Sequence, residues 1–296
     1  MTQASTVRVT MLNSMASRDL PEAMDRHVAW GIELLDLKDA LFGKRVMDLS
    51  DAEAARVADM ARQRGLEVYC LSTHLFGGDV EAAGRAGFES DHLGGVDRAV
   101  QIARILKPRL IRLLAAAGSS RAAYGTCAEY LQAESPWLID MYGEAVERIA
   151  AAGFRATIEN EVGRCVLRTP RDVAGFFAAL GRPGEVCFTW DVQNLWQTGT
   201  FPTLEACERL ADLTGYLHLK GGRHEEGDPE RRLTWRSSLA EASWPVVEVT
   251  RRVLAAGRCP VVCLNPSHGR LRQEGAGGDF AKQDLDFLHR EIPEIA

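Results

Sequence analysis

The chain has 296 residues, of which 46% are hydrophobic and 26% charged, and its formal net charge is −6. This composition supplies a sizeable core and excludes disorder over most of the length. No apolar run reaches the roughly 20 residues of a membrane-spanning helix, and Met1–Val7 lacks the features of a secretion signal. The acidic balance, without a long basic run, argues against nucleic acid as the main partner. We therefore expect a cytoplasmic protein that acts on a small molecule and not on a membrane.

Eight short apolar runs with the character of strands alternate with helical patterns along the whole chain. Such strands need cover on both faces, as in a parallel sheet. Eight β-then-α units in roughly 250–300 residues predict a single (β/α)₈ TIM barrel, an α/β fold, as one domain over residues 1–296. The eight runs are Val7–Asn13, Gly31–Leu37, Leu66–Thr73, Arg109–Ala115, Arg155–Glu161, Val186–Asp191, Gly215–Lys220 and Pro260–Asn265.

Start and stop signals delimit three of the intervening helices. Each has a hydroxyl side chain at its beginning and a glycine at its end. In the first, Ser50 and Glu53 have the spacing of a capping box. The three segments are Ser50–Gly65, Ser135–Gly153 and Thr169–Gly181.

A doubly wound open sheet is the alternative fold. That architecture usually has a glycine-rich phosphate-binding turn after its first strand. Here the corresponding segment, Leu12–Ser17, contains no glycine. The pattern therefore favours the closed barrel and indicates no dinucleotide site.

Polar residues at the ends of the last four predicted strands are the candidates for a functional site. Catalytic groups in such barrels come from the C-terminal ends of the strands. These ends carry Glu159, Asp191, His218 and Asn265. Mixed oxygen and nitrogen ligands suit Mn²⁺ or Mg²⁺, with Zn²⁺ and Co²⁺ as alternatives. One such carboxylate is usually a helix cap or a solvated residue, but three ligand types on successive strands predict a metal site.

At these residues the sequence resembles the xylose isomerase-like TIM-barrel superfamily. This is the sugar-phosphate isomerase/epimerase group that includes tagatose/psicose 3-epimerases, hydroxypyruvate isomerase and endonuclease IV. The resemblance covers nearly the whole chain. It is carried by Gly31-Ile32-Glu33-Leu34, Ile111-Arg112, Ile158-Glu159-Asn160, Trp190-Asp191 with Asn194, and His218-Leu219-Lys220.

The resemblance implies a set of metal ligands, one on each of strands five to eight. The family's Glu, Asp and His correspond to Glu159, Asp191 and His218. The fourth ligand, a Glu on strand eight, is replaced by Asn265. Relatives are often dimers or tetramers, so the resemblance also implies a homo-oligomer.

The missing carboxylate bears on the substrate. With Asn265 in place of Glu, the site around a divalent ion is less negative and favours an anionic substrate. A carboxylate or phosphate would be held by basic side chains near the same rim. We expect Arg112, Lys220, Arg223 and His268 to lie there, and we expect a keto sugar or a sugar acid as the substrate.

The resemblance implies isomerase or epimerase chemistry through a metal-stabilised enediolate. Epimerases of the group use two opposed Glu bases, of which only Glu159 remains here. One-base isomerisation fits this change, with Lys220 or His268 protonating the product. The alternatives are a decarboxylase or aldolase-type lyase, which needs no second base, and a barrel that only binds sugar or a partner subunit. A DNA endonuclease would need many more His ligands and a basic face.

Three further residues are candidates for substrate contacts. His74 ends strand three and fits a contact to a substrate hydroxyl. Glu161 is either a second acid near the metal or a partner for Arg164. Asn194 either binds substrate or caps the helix that follows strand six.

Overall fold

The computed structural model describes residues 7–234, 237–266 and 277–295. Its strands are all parallel, pair in chain order, and close through a β1–β8 pairing. The prediction of a (β/α)₈ barrel is confirmed. The strands are β1 (Arg8–Leu12), β2 (Leu34–Leu37), β3 (Glu67–Ser72), β4 (Leu110–Leu114), β5 (Arg155–Glu159), β6 (Val186–Asp191), β7 (Thr214–Leu219) and β8 (Val261–Leu264).

Helices surround the barrel and return the chain from the C-terminal end of one strand to the beginning of the next. They are α1 (Asn13–Ala16), α2 (Leu20–Ala29), α3 (Asp51–Gln63), α4 (Val80–Phe88), α5 (Val96–Leu106), α6 (Cys127–Glu134), α7 (Leu138–Ala151), α8 (Pro170–Leu180), α9 (Val192–Gln197), α10 (Leu204–Leu210), α11 (Val246–Ala255) and α12 (Gly277–Glu291). In the part of the chain described, no helix combines the length and the apolar character needed to cross a membrane.

Two of the three predicted helix starts are confirmed. The capping boxes at Ser50 and Thr169 both form, because each hydroxyl accepts the amide hydrogen three residues later and the acidic side chain there returns to the cap backbone. The third helix, α7, begins at Leu138 and not at the predicted Ser135. The Ser135 amide instead donates to Leu131 O at the end of α6, so Ser135 belongs to the preceding turn.

The second strand is shorter than the sequence pattern predicts. Gly31 adopts a left-handed φ of 75°, and the Ile32 amide donates to His27 O at 2.9 Å. This arrangement ends α2, so the segment before Leu34 is a helix terminus and not a strand. In consequence Glu33 is exposed, and the polar side chain that β2 directs into the barrel is Asp36.

Two apolar cores hold the barrel together. One lies between the strands and the helices, and the other fills the barrel interior. The interior core is built from Leu12, Leu34, Tyr69, Cys70, Leu110, Cys187, Tyr216, Val261 and Cys263.

Candidate metal centre

The three predicted ligands from strands five to seven lie together. Glu159 and Asp191 end β5 and β6, and His218 is one residue from the end of β7. The strand register pairs Asp191 with His218 directly. One ligand atom from each of the three residues lies within 4.8 Å of the other two, and all three side chains are buried. The successive strand ends therefore form a cluster that can hold a metal ion.

Several polar atoms of this cluster have no aligned hydrogen-bond partner among the described residues. They are both ring nitrogens of His218, Asp191 Oδ2 and Asn265 Oδ1. His218 Nδ1 lies 3.0 Å from Glu159 Oε1 and 4.0 Å from Asp191 Oδ2. Leaving such atoms without an aligned hydrogen bond in a buried place is costly, and they are of the kind that bind divalent ions. The residues present therefore fit a metal ion.

Arg112 binds Glu159 Oε2, the carboxylate oxygen that does not face His218. Its guanidinium lies 2.6 Å from Glu159 Oε2 and donates a second bond to Thr73 O at 2.9 Å. Burial by itself raises the pKa of the Glu159 carboxyl, but the charges of Arg112, His218 and Lys220 outweigh it and hold the pKa well below its ordinary value. Glu159 is therefore ionised, as a metal ligand must be.

Lys220 reaches the same cluster from the end of β7. Its Nζ lies 2.6 Å from Asp191 Oδ2 and donates to Asn194 Oδ1 at 3.2 Å. Asp191 Oδ1 accepts the Asn194 amide hydrogen, so the cap of α9 is Asp191 and not Asn194. The Asn194 side chain instead faces Lys220 and the cleft described next.

A cleft at the C-terminal ends of the strands gives access to the cluster. It consists of two lobes of about 220 and 290 Å³, which share Lys38, Asp39, Arg112 and Glu161. We call them the metal lobe and the outer lobe. The metal lobe is further lined by Ser14, Met15, Glu159, Val162, Gln193, Asn194, Gln197, Lys220 and Asn265. The outer lobe is further lined by Arg45, Val46, Ser72, Thr73, His74 and Leu114.

Asn265 occupies the strand-eight position of the cluster. Its backbone amide donates to Leu219 O at 3.1 Å, which fixes it beside β7. Its side chain is buried and lines the metal lobe. The segment that ends β8 therefore contributes a neutral amide oxygen in place of a carboxylate.

Two of the predicted substrate-contact residues, His74 and Glu161, line the cleft. His74 lines the outer lobe, where burial and the neighbouring charge of Arg45 lower the pKa of its ring. Glu161 lines both lobes, and burial together with the nearby Glu159 charge raises the pKa of its carboxyl. Arg164 does not pair with it.

Two predicted rim residues are not brought into the cleft. Arg223 is exposed and lies outside the lining of both lobes. His268 falls outside the described residues. Arg164, which we considered as a partner of Glu161, contacts Asp79 and Ser119 instead.

Some residues of the site were missed by the sequence analysis. Lys38 and Arg45 bring positive charge to the cleft from the segment after β2, and Asp39 adds a buried oxygen, Oδ1, without a partner among the described residues. The run Lys38-Asp39 directly after a strand was the available signal. Asp36, beneath the cluster, could have been found from the alternation of side chains along β2.

A larger groove of about 970 Å³ lies at the opposite end of the barrel. It is formed by the beginnings of β3 and β5 and by the turn before β4. None of the predicted site residues lines it. We therefore locate the chemistry in the smaller cleft, where the buried charged groups converge.

Comparisons with known proteins agree with this fold. A search of curated proteins found no match. Among solved structures, the IolI protein with a bound zinc atom superposes with a TM-score of 0.75 at 11% identity, covering 96% of this chain and 99% of that one. A xylose isomerase-like TIM barrel protein from Mycobacterium smegmatis in complex with magnesium gives 0.69 at 14% identity and 97% coverage of both chains.

A third structure, D-psicose 3-epimerase with D-tagatose from Clostridium cellulolyticum H10, gives a TM-score of 0.68 at 12% identity, covering 96% of this chain and 99% of that one. At such identities these likenesses show the fold alone. The family model for the xylose isomerase-like TIM barrel matches residues 26–290, which is most of the chain. The protein therefore belongs to the xylose isomerase-like TIM barrel family.

Proposed function

We propose that this protein is a divalent-metal-dependent enzyme that isomerises or epimerises a small keto sugar or sugar acid. The observation that carries the proposal is the convergence of Glu159, Asp191 and His218, with ligand atoms within 4.8 Å of one another, beside a cleft that Glu159 lines. Burying two carboxylates and an imidazole together is costly, and a bound cation would offset that cost. Neighbouring structures that hold zinc or magnesium, and one that is an epimerase, support the same assignment.

Glu159, Asp191 and His218 would hold the ion, with Asn265 as a neutral fourth ligand. When bound, a divalent ion would make the hydroxyl-bearing carbon next to the substrate carbonyl more acidic. Glu159 is the carboxylate that we assign to take the proton. Arg112 lies 2.6 Å from Glu159 Oε2 and fixes the carboxylate, which can take the proton, exchange it with solvent and deliver a proton to the neighbouring carbon on the same face, as one-base isomerisation requires.

Lys220 is the proton donor in this proposal. Lys220 lines the metal lobe, and its side chain, which lies beside Asp191, is only 13% exposed. From there it can give a proton to the substrate oxygen that becomes a hydroxyl and recover one from the oxygen that becomes a carbonyl, while Glu159 moves the carbon-bound proton. Asn194, which accepts from Lys220, orients the ammonium group.

The charges of the cleft support an anionic substrate. Lys38 and Arg45 border the outer lobe, and within the described residues neither forms an ion pair. A carboxylate or phosphate on the substrate would supply the missing partner. Asp39 and Glu161 provide acceptors for sugar hydroxyls in the same lobe. A small acidic sugar derivative, with its carbonyl in the metal lobe, matches this distribution.

A lyase is the second candidate. It is favoured by Asn265, because decarboxylation or retro-aldol cleavage creates the carbanion without a second base. In that case Lys220 would protonate the product carbon. The cleft, the ligands and the acidic substrate class are common to both candidates.

Deuterium incorporation distinguishes these reactions. The protein, loaded with Mn²⁺, is incubated in D₂O with a set of keto acids and acidic keto sugars, and the products are identified by mass spectrometry. An isomerase or epimerase gives a product of the same carbon skeleton with deuterium beside the carbonyl. A lyase releases CO₂ or an aldehyde. Asp191→Ala serves as the inactive control.

Metal analysis tests the site itself. The native protein should contain a divalent ion that is lost in Asp191→Ala. If the native protein binds none of Mn²⁺, Mg²⁺, Zn²⁺ or Co²⁺ while Asn265→Glu does, the enzyme proposal fails. The barrel would then be a sugar-binding or partner subunit.

A further inference from the structure

Asp36 is a fully buried carboxylate that the proposed reaction does not use. It lies on β2 and faces the barrel interior, beneath the metal centre. Ser72 donates a hydrogen bond to its Oδ1 at 2.5 Å, and Tyr216 donates one to its Oδ2 at 2.8 Å. Burying a carboxylate is costly, and here two hydroxyl groups from neighbouring positions of the barrel are directed at it. Such an arrangement calls for an explanation.

His218 lies between this carboxylate and the metal cluster. Its Nδ1 faces Glu159 Oε1 at 3.0 Å, whereas its Nε2 faces Asp36 Oδ2 at 3.9 Å. Both ring nitrogens are buried and neither has an aligned hydrogen-bond partner among the described residues. The two sides of one imidazole ring are therefore directed at two different carboxylates.

We propose that Asp36 is a positioning residue that holds His218 with Nδ1 toward the metal and the ring hydrogen on Nε2. The inference rests on the proposed function, because it requires His218 to be a ligand. A ligating nitrogen carries no hydrogen, so the hydrogen of the neutral ring must lie on the other nitrogen. In a dry interior that N–H needs an acceptor, and a carboxylate is a common one for a ligating histidine.

The Ser72 and Tyr216 hydroxyls make Asp36 suitable for this role. Because both donate to it, the carboxylate acts as an acceptor, and each oxygen keeps a further lone pair. Oδ2, which accepts from Tyr216, is also the oxygen that faces His218. The hydrogen bonds from Ser72 and Tyr216 fix the orientation of the Asp36 carboxylate. That carboxylate in turn fixes the orientation of the His218 ring.

Cys263 is the competing acceptor on this side of the ring. One ligand atom each from Asp36, His218 and Cys263 also lies within 4.8 Å of the others, which would suit a second metal ion. However, the Cys263 thiol donates to Leu264 O at 3.6 Å and so keeps its hydrogen, which a metal ligand would have to lose. The geometry therefore favours a hydrogen-bonded support over a second metal site, and a carboxylate is the stronger acceptor.

Metal titration of variants tests the proposal. Asp36→Asn keeps the shape of the side chain and should weaken Zn²⁺ binding by roughly 10- to 100-fold. Tyr216→Phe removes one donor but leaves the carboxylate, so its loss should be smaller. Cys263→Ala should bind Zn²⁺ as the wild type does. Unchanged affinity in Asp36→Asn, or a larger loss in Cys263→Ala, overturns the assignment of Asp36.

A spectroscopic readout keeps the test independent of how well Asp36→Asn folds. In wild-type protein labelled with ¹⁵N-histidine, Zn²⁺ should give one ring with metal-bound Nδ1 and a slowly exchanging hydrogen on Nε2. Zinc on Nε2 of that ring overturns the proposal even though the protein binds metal. A wild-type protein that binds no metal overturns both this inference and the proposed function. The two failures are therefore distinguishable.

Discussion

Two arginine–carboxylate pairs of equal burial have different surroundings in this barrel. Arg112–Glu159 and Arg121–Asp172 both have side-chain exposures of 3% and 2%. In the second pair every charged atom has a partner. Arg121 donates to Asp172, Val166 O and Tyr124 O. Asp172 also accepts backbone amide hydrogens, which come from Cys127, Arg168 and Thr169.

The first pair is surrounded by unsatisfied atoms. Among the described residues Arg112 Nε and both ring nitrogens of the adjacent His218 have no aligned hydrogen-bond partner, although His218 Nδ1 lies 3.0 Å from Glu159 Oε1. The exposure of the two pairs is thus the same, whereas their hydrogen-bond satisfaction differs, and Glu159 also lies close to the charges of His218 and Lys220. The complete hydrogen-bond network around Arg121–Asp172 fixes a loop to a helix. The incomplete network around Arg112–Glu159 marks a place where a ligand could supply the missing partners. This difference identifies the functional pair better than burial does.

The largest expected effect is on stability and follows from breaking the Arg121–Asp172 pair. Arg121→Met leaves the buried Asp172 charge without its cation and should lower the free energy of unfolding by about 3–5 kcal/mol. Urea denaturation measures the loss. Mn²⁺ affinity should stay that of the wild type, whereas the matched variant Arg112→Met should change it. Equal changes in Mn²⁺ affinity in both variants would contradict the distinction between the pairs.

Metal binding should stabilise the incomplete network. At a free Mn²⁺ concentration 100 times the dissociation constant, the free energy of unfolding should rise by about 2.7 kcal/mol. The same Mn²⁺ concentration should leave Asp191→Asn unaffected, because that variant lacks a ligand charge but can still cap α9. Thermal denaturation with Mn²⁺ and with chelator measures the difference. A wild type with the same midpoint in both conditions argues against a metal site.

A smaller effect concerns the cation beside Asp191. Lys220 Nζ lies 2.6 Å from Asp191 Oδ2, an atom that we assign to the metal. Lys220→Met should therefore tighten Mn²⁺ binding, by about tenfold or on the order of 1.4 kcal/mol, while turnover falls. Calorimetric titration and an activity assay together measure this. Weaker Mn²⁺ binding in Lys220→Met would instead mean that Lys220 orients Asp191.

The sequence predicts the part of the site that depends on strand order. Glu159, Asp191 and His218 end successive strands, so closure of a parallel barrel is enough to bring them together. Arg45 could not be placed in this way, because its position depends on the path of the segment between β2 and α3. Long-range pairings such as Arg121–Asp172 also depend on loop paths that no local pattern encodes.

Strand β2 shows a different limit of prediction from sequence, namely the position at which a strand begins. The sequence motif draws attention to Glu33, which is exposed, whereas Asp36 is the residue inside the barrel. Side chains alternate along a strand, so the assignment depends on where the strand begins. Gly31 ends α2 in a left-handed conformation and delays that beginning. An error in the strand start thus hid Asp36, the carboxylate that faces His218 Nε2.

The smallest expected effect concerns an exposed pair, Lys44–Glu53, at the start of α3. Hydrogen bonds from Lys44, then from Ser50, lower the pKa of the Glu53 carboxyl from 4.5 to about 2. Because the pKa is lower in the folded state, the stabilisation is present above about pH 4.5 and is lost as the pH falls toward about 2. Glu53→Gln removes the charge but can still complete a capping box.

Thermal midpoints of wild type and Glu53→Gln should therefore differ slightly at neutral pH and converge in acid. The difference should also shrink in 1 M salt, where the screening length is roughly 3 Å, since the pair lies at the surface. The buried Arg121–Asp172 pair is screened much less, so the deficit of Arg121→Met should persist in salt. A Glu53→Gln difference that resists both acid and salt would mean that packing, and not charge, distinguishes the two side chains.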